Sequence, residues 1–255
     1  MYYVGIDAGS VFTKVVVMDE EGIVSYDIRP SGRNYRDSIM FSLEDALSKA
    51  GVNKDQIYEV TVTGHGGEAS PVAGEYASDI SCMAKGVGFL FPQARTLIEI
   101  GGQVSKVVSI SNGRVVRFVA GDRCAGGSGR FLQVLSKILD LSFEEMSKRA
   151  LNPVKRIKFS TGCAVFTETE VISRIAEGSR IDEIIAGVRE SMANKIISMA
   201  NRIGIEKECV VCGGGAKDIG LVKTMEEKLG INLFVPFEPI ICGALGAALL
   251  SRDKC

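Results

Sequence analysis

Two stretches of the chain carry the same order of residue types, and this repeat limits the possible fold more than any other feature. Residues 6–18, IDAGSVFTKVVVM, align without a gap on residues 98–110, IEIGGQVSKVVSI. Both copies have an acid, a glycine turn, a hydroxyl residue, a lysine and two valines. In each copy a strand ends, the chain turns tightly and a second strand begins. The repeat predicts a duplicated domain; the alternative is a coincidental match between two ordinary hairpins.

Each copy of the repeat has the chemistry of a phosphate-binding turn. A residue without Cβ lets the backbone approach a phosphate closely, and the N–H groups of such a turn can bind phosphate oxygens. Gly9, Gly101 and Gly102 meet that need. Asp7 and Glu99 end the preceding strands, and each could hold Mg²⁺ through water, because Mg²⁺ keeps several of its own waters. We expect the two turns to face one another across a nucleotide cleft.

A third glycine cluster, CGGGAKD at residues 212–218, ends a predicted strand and begins a predicted helix. Glycine backbone of this kind can lie flat against a base or a ribose, so Gly213, Gly214 and Gly215 are candidate nucleotide contacts. The fingerprint G-x-x-x-x-G-K-[ST] is absent from the chain, which excludes a P-loop ATPase.

The rest of the chain mixes strands with helices, which favours an α/β fold. A three-strand meander is predicted over residues 2–28, and no linker rich in proline, serine or charge separates domains. The hydrophobic periodicity predicts helices over 35–50, 81–91, 127–139, 142–150, 165–177, 181–203, 216–229 and 241–252.

Composition narrows the class of function. The 255 residues carry a formal net charge of −1 without a basic stripe, so nucleic acid is not an expected partner. No apolar run is long enough to cross a membrane, and the start lacks the regions of a signal peptide, so we expect a cytoplasmic protein. Seven cysteines, an odd number, do not suggest a disulfide framework.

Several motifs resemble those of known proteins over nearly the whole chain. GIDAGSVFTKVVV, IGGQVSK and VCGGGA resemble the phosphate and adenosine motifs of the acetate kinase, sugar kinase, Hsp70 and actin superfamily. DRCAGGSGRFLQ and STGCAVFTETEVIS are similar to the ATP-dependent activators of 2-hydroxyacyl-CoA dehydratases and to the ATP-binding subunits of benzoyl-CoA reductases. The resemblance implies duplicated ribonuclease H-like domains of the actin-like ATPase type. The first would comprise residues 1–95 plus 236–255, and the second, residues 96–235, would carry the cysteines of both motifs.

The same resemblance gives Cys124 and Cys163 a role as iron ligands. Both precede predicted helices, where the helix dipole stabilises a thiolate. A four-iron four-sulfur cluster is held by about four thiolates, and one chain would supply two. Two copies of the chain would therefore hold one cluster in a homodimer. The alternative is that both are buried apolar thiols.

The remaining candidate residues have more ordinary interpretations. Cys209 and Cys212 lie on a predicted strand and are expected to be core thiols, and Cys82, Cys242 and Cys255 receive no role. His65 is expected in a surface loop, with a catalytic base as the alternative. Glu168 and Glu170 are expected to be acids at a helix start; the alternative is a partner surface beside the cluster.

The resemblance implies an ATPase that drives one electron from its cluster to an iron–sulfur dehydratase or reductase component under anaerobic conditions. A low-potential donor such as ferredoxin or flavodoxin would supply the electron. Asp7 and Glu99 would hold Mg²⁺, and Gln103 would position the attacking water. The expected contacts with ATP are Gly9, Ser10, Thr13, Lys14, Gly101, Gly102, Lys106, Gly213, Gly214 and Gly215.

Two other functions are open to a chain of this superfamily. A small-molecule kinase would need a carboxylate base near the second turn, where this chain has Val104. A non-catalytic, actin-like regulatory protein would only bind the nucleotide. Iron in the anaerobically purified protein would distinguish the electron-transfer function from both.

Overall fold

The computed structural model describes residues 1–72, 74–121, 125–160 and 163–254. They form two compact units, one of residues 1–94, 110–116 and 240–255 and the other of residues 95–109 and 117–239. The strands are β1 (Tyr2–Ala8), β2 (Phe12–Met18), β3 (Ile23–Pro30), β4 (Ile57–Thr63), β5 (Glu75–Tyr76), β6 (Thr96–Ile100), β7 (Ser105–Ser111), β8 (Arg114–Ala120), β9 (Cys209–Cys212) and β10 (Leu233–Phe234). The helices are α1 (Tyr35–Ala50), α2 (Asp79–Leu90), α3 (Gly129–Ile138), α4 (Phe143–Lys148), α5 (Ala164–Ala176), α6 (Ile181–Ile203), α7 (Ile219–Leu229) and α8 (Cys242–Arg252).

The strands form two five-stranded sheets with the same connectivity. The first has the order β3-β2-β1-β4-β5, and the second, read in the same direction, has the order β8-β7-β6-β9-β10. In the first sheet, β1 pairs antiparallel with β2 and parallel with β4. In the second, β6 pairs antiparallel with β7 and parallel with β9. The expected α/β class and the duplication are therefore confirmed.

The first sheet is covered by helices on both faces, which explains the continuous apolar runs in its strands. Val4 and Ile6 of β1 belong to a core cluster with Ile39 of α1. Tyr3, whose side chain points to the other face, belongs to a cluster with Leu245 of α8.

Helix α1 begins and ends at residues suited to those positions. The Asn34 side chain accepts a hydrogen bond from the backbone N–H of Arg36, and Gly51 at the far end has a φ of 67°. Only glycine adopts that left-handed conformation without steric cost, so the predicted helix stop at Gly51 is confirmed.

Helix α8 lies close to its neighbours because glycine occurs where backbones meet. A Cβ on Gly246 would collide with the backbone carbonyl of Cys82 in α2, and a Cβ on Gly5 of β1 would collide with the carbonyl of Ala244. The missing Cβ of Gly246 sets the distance between α8 and α2, and that of Gly5 sets the distance between α8 and the first sheet.

The second unit contains a buried ion pair within its helical core. Arg189 of α6 and Asp218, which caps α7, lie 2.8 Å apart and are almost fully buried. Arg189 also donates to the carbonyls of Met146 and Ser147 at the end of α4. Burial raises the pKa of Asp218, and the adjacent guanidinium opposes that rise. The pair ties α4 and α6 to the start of α7.

The structure differs from the expected elements in two places. The helix predicted over 216–229 is interrupted, because residues 214–217 form a 3₁₀ turn and Asp218 accepts the N–H of Leu221 to begin α7. The two-residue strands β5 and β10 were not predicted. Within the described residues, the helices are all too short or too polar to cross a membrane.

Replacing Gly246 by alanine should destabilise the protein. In a helix with free space this change stabilises by roughly 0.5–1 kcal/mol, but here the new Cβ must displace backbone, at a cost of about 3 kcal/mol. Urea unfolding monitored by circular dichroism measures the difference. Gly214→Ala is the control, because its Cβ would point into open space. Equal stability of the two variants would show that the contact between α8 and α2 relaxes freely.

Candidate nucleotide-binding site

The first glycine turn joins β1 to β2 and carries an ion pair at its base. The strand register places Asp7 opposite Lys14, and the Lys14 ammonium lies 2.7 Å from the carboxylate. The Gly9 N–H donates to the carbonyl of Phe12 across the turn. A Cβ on Gly9 would lie 2.9 Å from the backbone carbonyl oxygen of Phe12, which cannot swing away as a side chain can, so this turn requires glycine.

The second turn, between β6 and β7, repeats this geometry. Glu99 stands opposite Lys106, with 2.9 Å between carboxylate and ammonium. The Gly101 N–H donates to the carbonyl of Val104, and a Cβ on Gly101 would lie 2.6 Å from that same oxygen. The gapless sequence match therefore corresponds to two turns with the same pairing and the same hydrogen bond.

Two further glycines approach the Asp7 carboxylate, and the sequence analysis assigned neither to the site. Gly64 follows β4 with a φ of 88°, and its missing Cβ would collide with the carboxylate. Gly243, in the first turn of α8, leaves room in the same way, because its Cβ would lie 2.8 Å from the Asp7 oxygen. The start of a helix favours negative charge, so this surrounding suits both the carboxylate and a phosphate.

His65 lies beside this group of glycines without taking part in it. Its side chain is exposed between the buried Gly64 and Gly66, and the Gly66 N–H donates to the carbonyl of Ala8. The predicted position in a surface loop is confirmed.

The third glycine cluster packs directly on the second turn. Gly213 has a φ of 83°, and its N–H donates to the carbonyl of Pro239. A Cβ on Gly215 would collide with the side chain of Ile100 at the end of β6, whereas a Cβ on Gly214 would meet nothing within 4 Å. Gly214 thus presents an open backbone surface.

The predicted side-chain contacts differ in accessibility. Gln103 is exposed and Ser10 is partly exposed, so both can reach a ligand. Thr13 is fully buried, and its hydroxyl lies 3.0 Å from each of the Ser31 and Ser38 hydroxyls. Thr13 therefore supports the first turn from beneath, and its hydroxyl is already engaged within the protein.

Of the two predicted iron ligands, Cys163 is described and Cys124 lies outside the described residues. Cys163 is half-buried at the N-cap of α5, and its carbonyl accepts hydrogen bonds from the N–H and the hydroxyl of Thr167. The predicted position at a helix start is thus confirmed for Cys163. Within the ranges that the structure describes, no three potential metal ligands come together.

Glu170 fastens the segment that leads to Cys163. Its carboxylate accepts the backbone N–H of Ser160 at 3.0 Å and the Ser160 hydroxyl at 2.7 Å, and it pairs with Arg174. The Ser160 bonds and the nearby guanidinium lower the pKa of Glu170. The expectation of helix-start acids is wrong for both Glu168 and Glu170, because both lie beyond the first turn of α5. Glu170 instead binds the preceding loop.

The other described cysteines are core thiols. Cys82, Cys209, Cys212 and Cys242 are all buried, as expected for Cys209 and Cys212. Burial raises the pKa of Cys82 to about 11 and that of Cys209 to about 12, so both stay protonated at neutral pH. Cys255 lies outside the described residues.

Known proteins match the chain over its full length. A family model described as the BadF/BadG/BcrA/BcrD ATPase family matches residues 4–251. The 2-hydroxyisocaproyl-CoA dehydratase activator of Clostridioides difficile is 38% identical, over 100% of this chain and 96% of that protein. The (R)-2-hydroxyglutaryl-CoA dehydratase activating ATPase of Acidaminococcus fermentans is 35% identical, over 100% and 98%. The solved structure of the Clostridium difficile activator with bound ADPNP has a TM-score of 0.95 at 38% identity and covers 100% of this chain and 95% of its own.

The contact between Glu170 and Ser160 should weaken in acid. A lowered pKa in the folded state means that the contribution is complete above the ordinary glutamate value of 4.5 and is lost as pH falls through the folded pKa. Hydrogen exchange of the Ser160 amide, corrected for the intrinsic rate, should therefore accelerate below that value. Glu170→Gln should show faster exchange already at neutral pH, and Glu168→Gln should match the wild type. Unchanged exchange in Glu170→Gln would contradict the assignment.

Proposed function

Because the chain belongs to the BadF/BadG/BcrA/BcrD ATPase family, we propose that it is an ATP-hydrolysing activator that drives one electron to an iron–sulfur 2-hydroxyacyl-CoA dehydratase or a related acyl-CoA reductase. The observation that carries this proposal is the pair of matching turns, each with a glycine, an acid and a lysine in the same register. Two relatives support this activity, because one is named a dehydratase activator and the other an activating ATPase.

In this proposal each turn binds phosphate oxygens of ATP. The Gly9 and Gly101 N–H groups close their own turns, so the N–H groups of the residues that follow them, Ser10 and Gly102, donate to phosphate oxygens, and the glycines leave no Cβ to block their approach. Lys14 and Lys106 exchange their carboxylate partners for phosphate, and the released carboxylates then face the nucleotide. When bound, Mg²⁺ neutralises phosphate charge, and Asp7 and Glu99 are the residues that would hold its waters; the small enclosure of glycines around Asp7 fits that use.

The hydrolytic step needs a positioned water and no acceptor base. Gln103 is exposed on the second turn and can orient that water through its amide. Val104, next to it, has no ionisable group with which to deprotonate a sugar or acetate acceptor. The turn therefore favours hydrolysis over transfer to a small molecule.

Cys163 has the chemistry and the place of an iron ligand. Its half-buried position at the N-cap of α5 places it at the positive end of the helix dipole, which suits a negatively charged iron–sulfur site. An iron–sulfur cluster, when bound, supplies the one-electron carrier. Cys163 and Cys124 of two copies give the four thiolates of one cluster per homodimer. Val165, Phe166 and Ile172, apolar but more than half exposed on α5, suit burial beside that shared site.

The proposed partners follow from this arrangement. The electron passes to an iron–sulfur dehydratase or reductase component, and a ferredoxin or a flavodoxin is the proposed donor. The two units serve as the two ATPase subdomains, of which the second carries the cysteines.

Asp7→Ala should reduce Mg²⁺-dependent ATP hydrolysis by about 100-fold or more, because it removes both the lysine's partner and a metal-facing carboxylate. Phosphate release from ATP measures this loss. Asp55→Ala, which removes an exposed acid from the same unit, should keep the wild-type rate. Efficient phosphorylation of a sugar or acetate by the wild-type protein would overturn the proposal.

Iron analysis of anaerobically purified protein tests the ligand assignment. We expect about four irons per dimer in the wild type and loss of iron in Cys163→Ala and Cys124→Ala, since each change removes two of four thiolates from the dimer. Cys209→Ala is the matched control, because that buried strand thiol should leave iron bound. Iron lost from the control, or about four irons per monomer, would show that other cysteines are the ligands.

A further inference from the structure

The two matching turns differ in what their hydroxyl residue holds. In the first, Thr13 bonds to Ser31, which follows β3, and to Ser38 of α1, both in the same unit. In the second, the equivalent Ser105 donates its hydroxyl to the carbonyl of Gly127 at 2.5 Å. The hydroxyl is thus directed to the segment just ahead of α3.

The carbonyls of the two turns show the same difference. The Gly9 carbonyl accepts the hydroxyl of Ser31. The Gly101 carbonyl instead accepts the N–H of Gly129, and the Gly102 carbonyl accepts the N–H of Arg130. Those donors are the first residues of α3, so the second turn itself satisfies two N–H groups that a helix leaves without partners at its start.

Ser105 also holds the other end of the segment before α3. Its backbone carbonyl accepts the N–H of Gly121 at 2.9 Å, while its hydroxyl holds Gly127. Gly121 and Gly127 are therefore both bound to one residue of β7. Cys124 lies between these two glycines in sequence.

We propose that Ser105 is a positioning residue that couples phosphate binding at the second turn to the start of α3 and to the segment that precedes it. The inference rests on the proposed function, because it concerns the same nucleotide site. Ser105 and the turn peptides carry the coupling, and the hydrolytic chemistry stays with the residues already assigned.

The coupling follows from the planarity of the peptide bond. In a trans peptide the N–H and C=O groups point in opposite directions. The Gly101 and Gly102 carbonyls face α3, so the N–H groups of Gly102 and Gln103 point away from that helix. An N–H bonded to phosphate polarises its peptide and makes the carbonyl a stronger acceptor. Phosphate binding therefore tightens the hydrogen bonds at the start of α3.

Ser105 makes this effect extend to the preceding segment. Its side chain is buried, so its hydrogen bond to Gly127 does not compete with water. Gly129 leaves little room for independent movement, since a Cβ there would lie 3.3 Å from the Gly215 N and 3.4 Å from the Gly101 carbonyl oxygen. Gly127 and the helix start thus follow the turn together.

Valine and threonine at position 105 provide a matched test, because they have the same shape and only threonine keeps a hydroxyl. Ser105→Thr, Ser105→Val and Ser105→Ala are purified with the wild type as full-length protein. Ser109→Ala removes a buried hydroxyl elsewhere on β7 and is the control. Hydrogen exchange over residues 125–138 is measured with and without a non-hydrolysable ATP analogue and Mg²⁺, and calorimetry gives the affinity for the analogue.

The analogue should slow exchange at the start of α3 by about threefold or more in the wild type, Ser105→Thr and Ser109→Ala. Ser105→Val and Ser105→Ala should bind the analogue yet lose most of that slowing. If the analogue protects residues 99–106 of the wild type but leaves α3 unchanged, or if the valine variant responds like the threonine variant, the coupling is wrong and the proposed function stands. If the wild type binds no analogue, both fail together. The valine–threonine comparison decides the matter even if the alanine variant folds poorly.

Discussion

Both halves of the protein depend on an ion pair formed across the end of a β-hairpin. The pairs Asp7–Lys14 and Glu99–Lys106 are largely shielded from solvent. Charges in such surroundings are costly unless they are paired, so each pair stabilises its turn when no ligand is bound. A phosphate offers each lysine a new partner of the same sign as the old one. Ligand binding can therefore keep each lysine paired, while the carboxylate that it leaves needs a new cationic partner, which a bound Mg²⁺ with its waters would supply.

Much of the fold could be predicted because its signals are local. The repeat predicted both hairpins, since each copy places a glycine turn between two β-rich runs. Asn34 and Gly51 delimit α1 through contacts made within a few residues. Strands β5 and β10 could not be predicted, because two residues carry no periodicity and such strands exist only through their neighbours.

The site was less predictable where chain-distant residues meet. Gly64 and Gly243 surround the Asp7 carboxylate, yet one follows β4 and the other begins α8, nearly 180 residues later. Glycines directly after a strand and at a helix start were the available signal, and they did not indicate which carboxylate they would meet. The burial of Thr13 could not be predicted for the same reason, because its partners, Ser31 and Ser38, belong to a different part of the chain.

The two helices that follow the cysteine motifs, α3 and α5, are held by different hydrogen bonds. The loop before α5 is bound to its own helix, because Glu170 takes both the N–H and the hydroxyl of Ser160. The start of α3 is bound to the second glycine turn through Gly129 and Arg130. A movement of that turn is therefore passed to α3 through two backbone hydrogen bonds. Because hydrogen bonds are directional, α3 is the helix through which we propose that nucleotide binding acts.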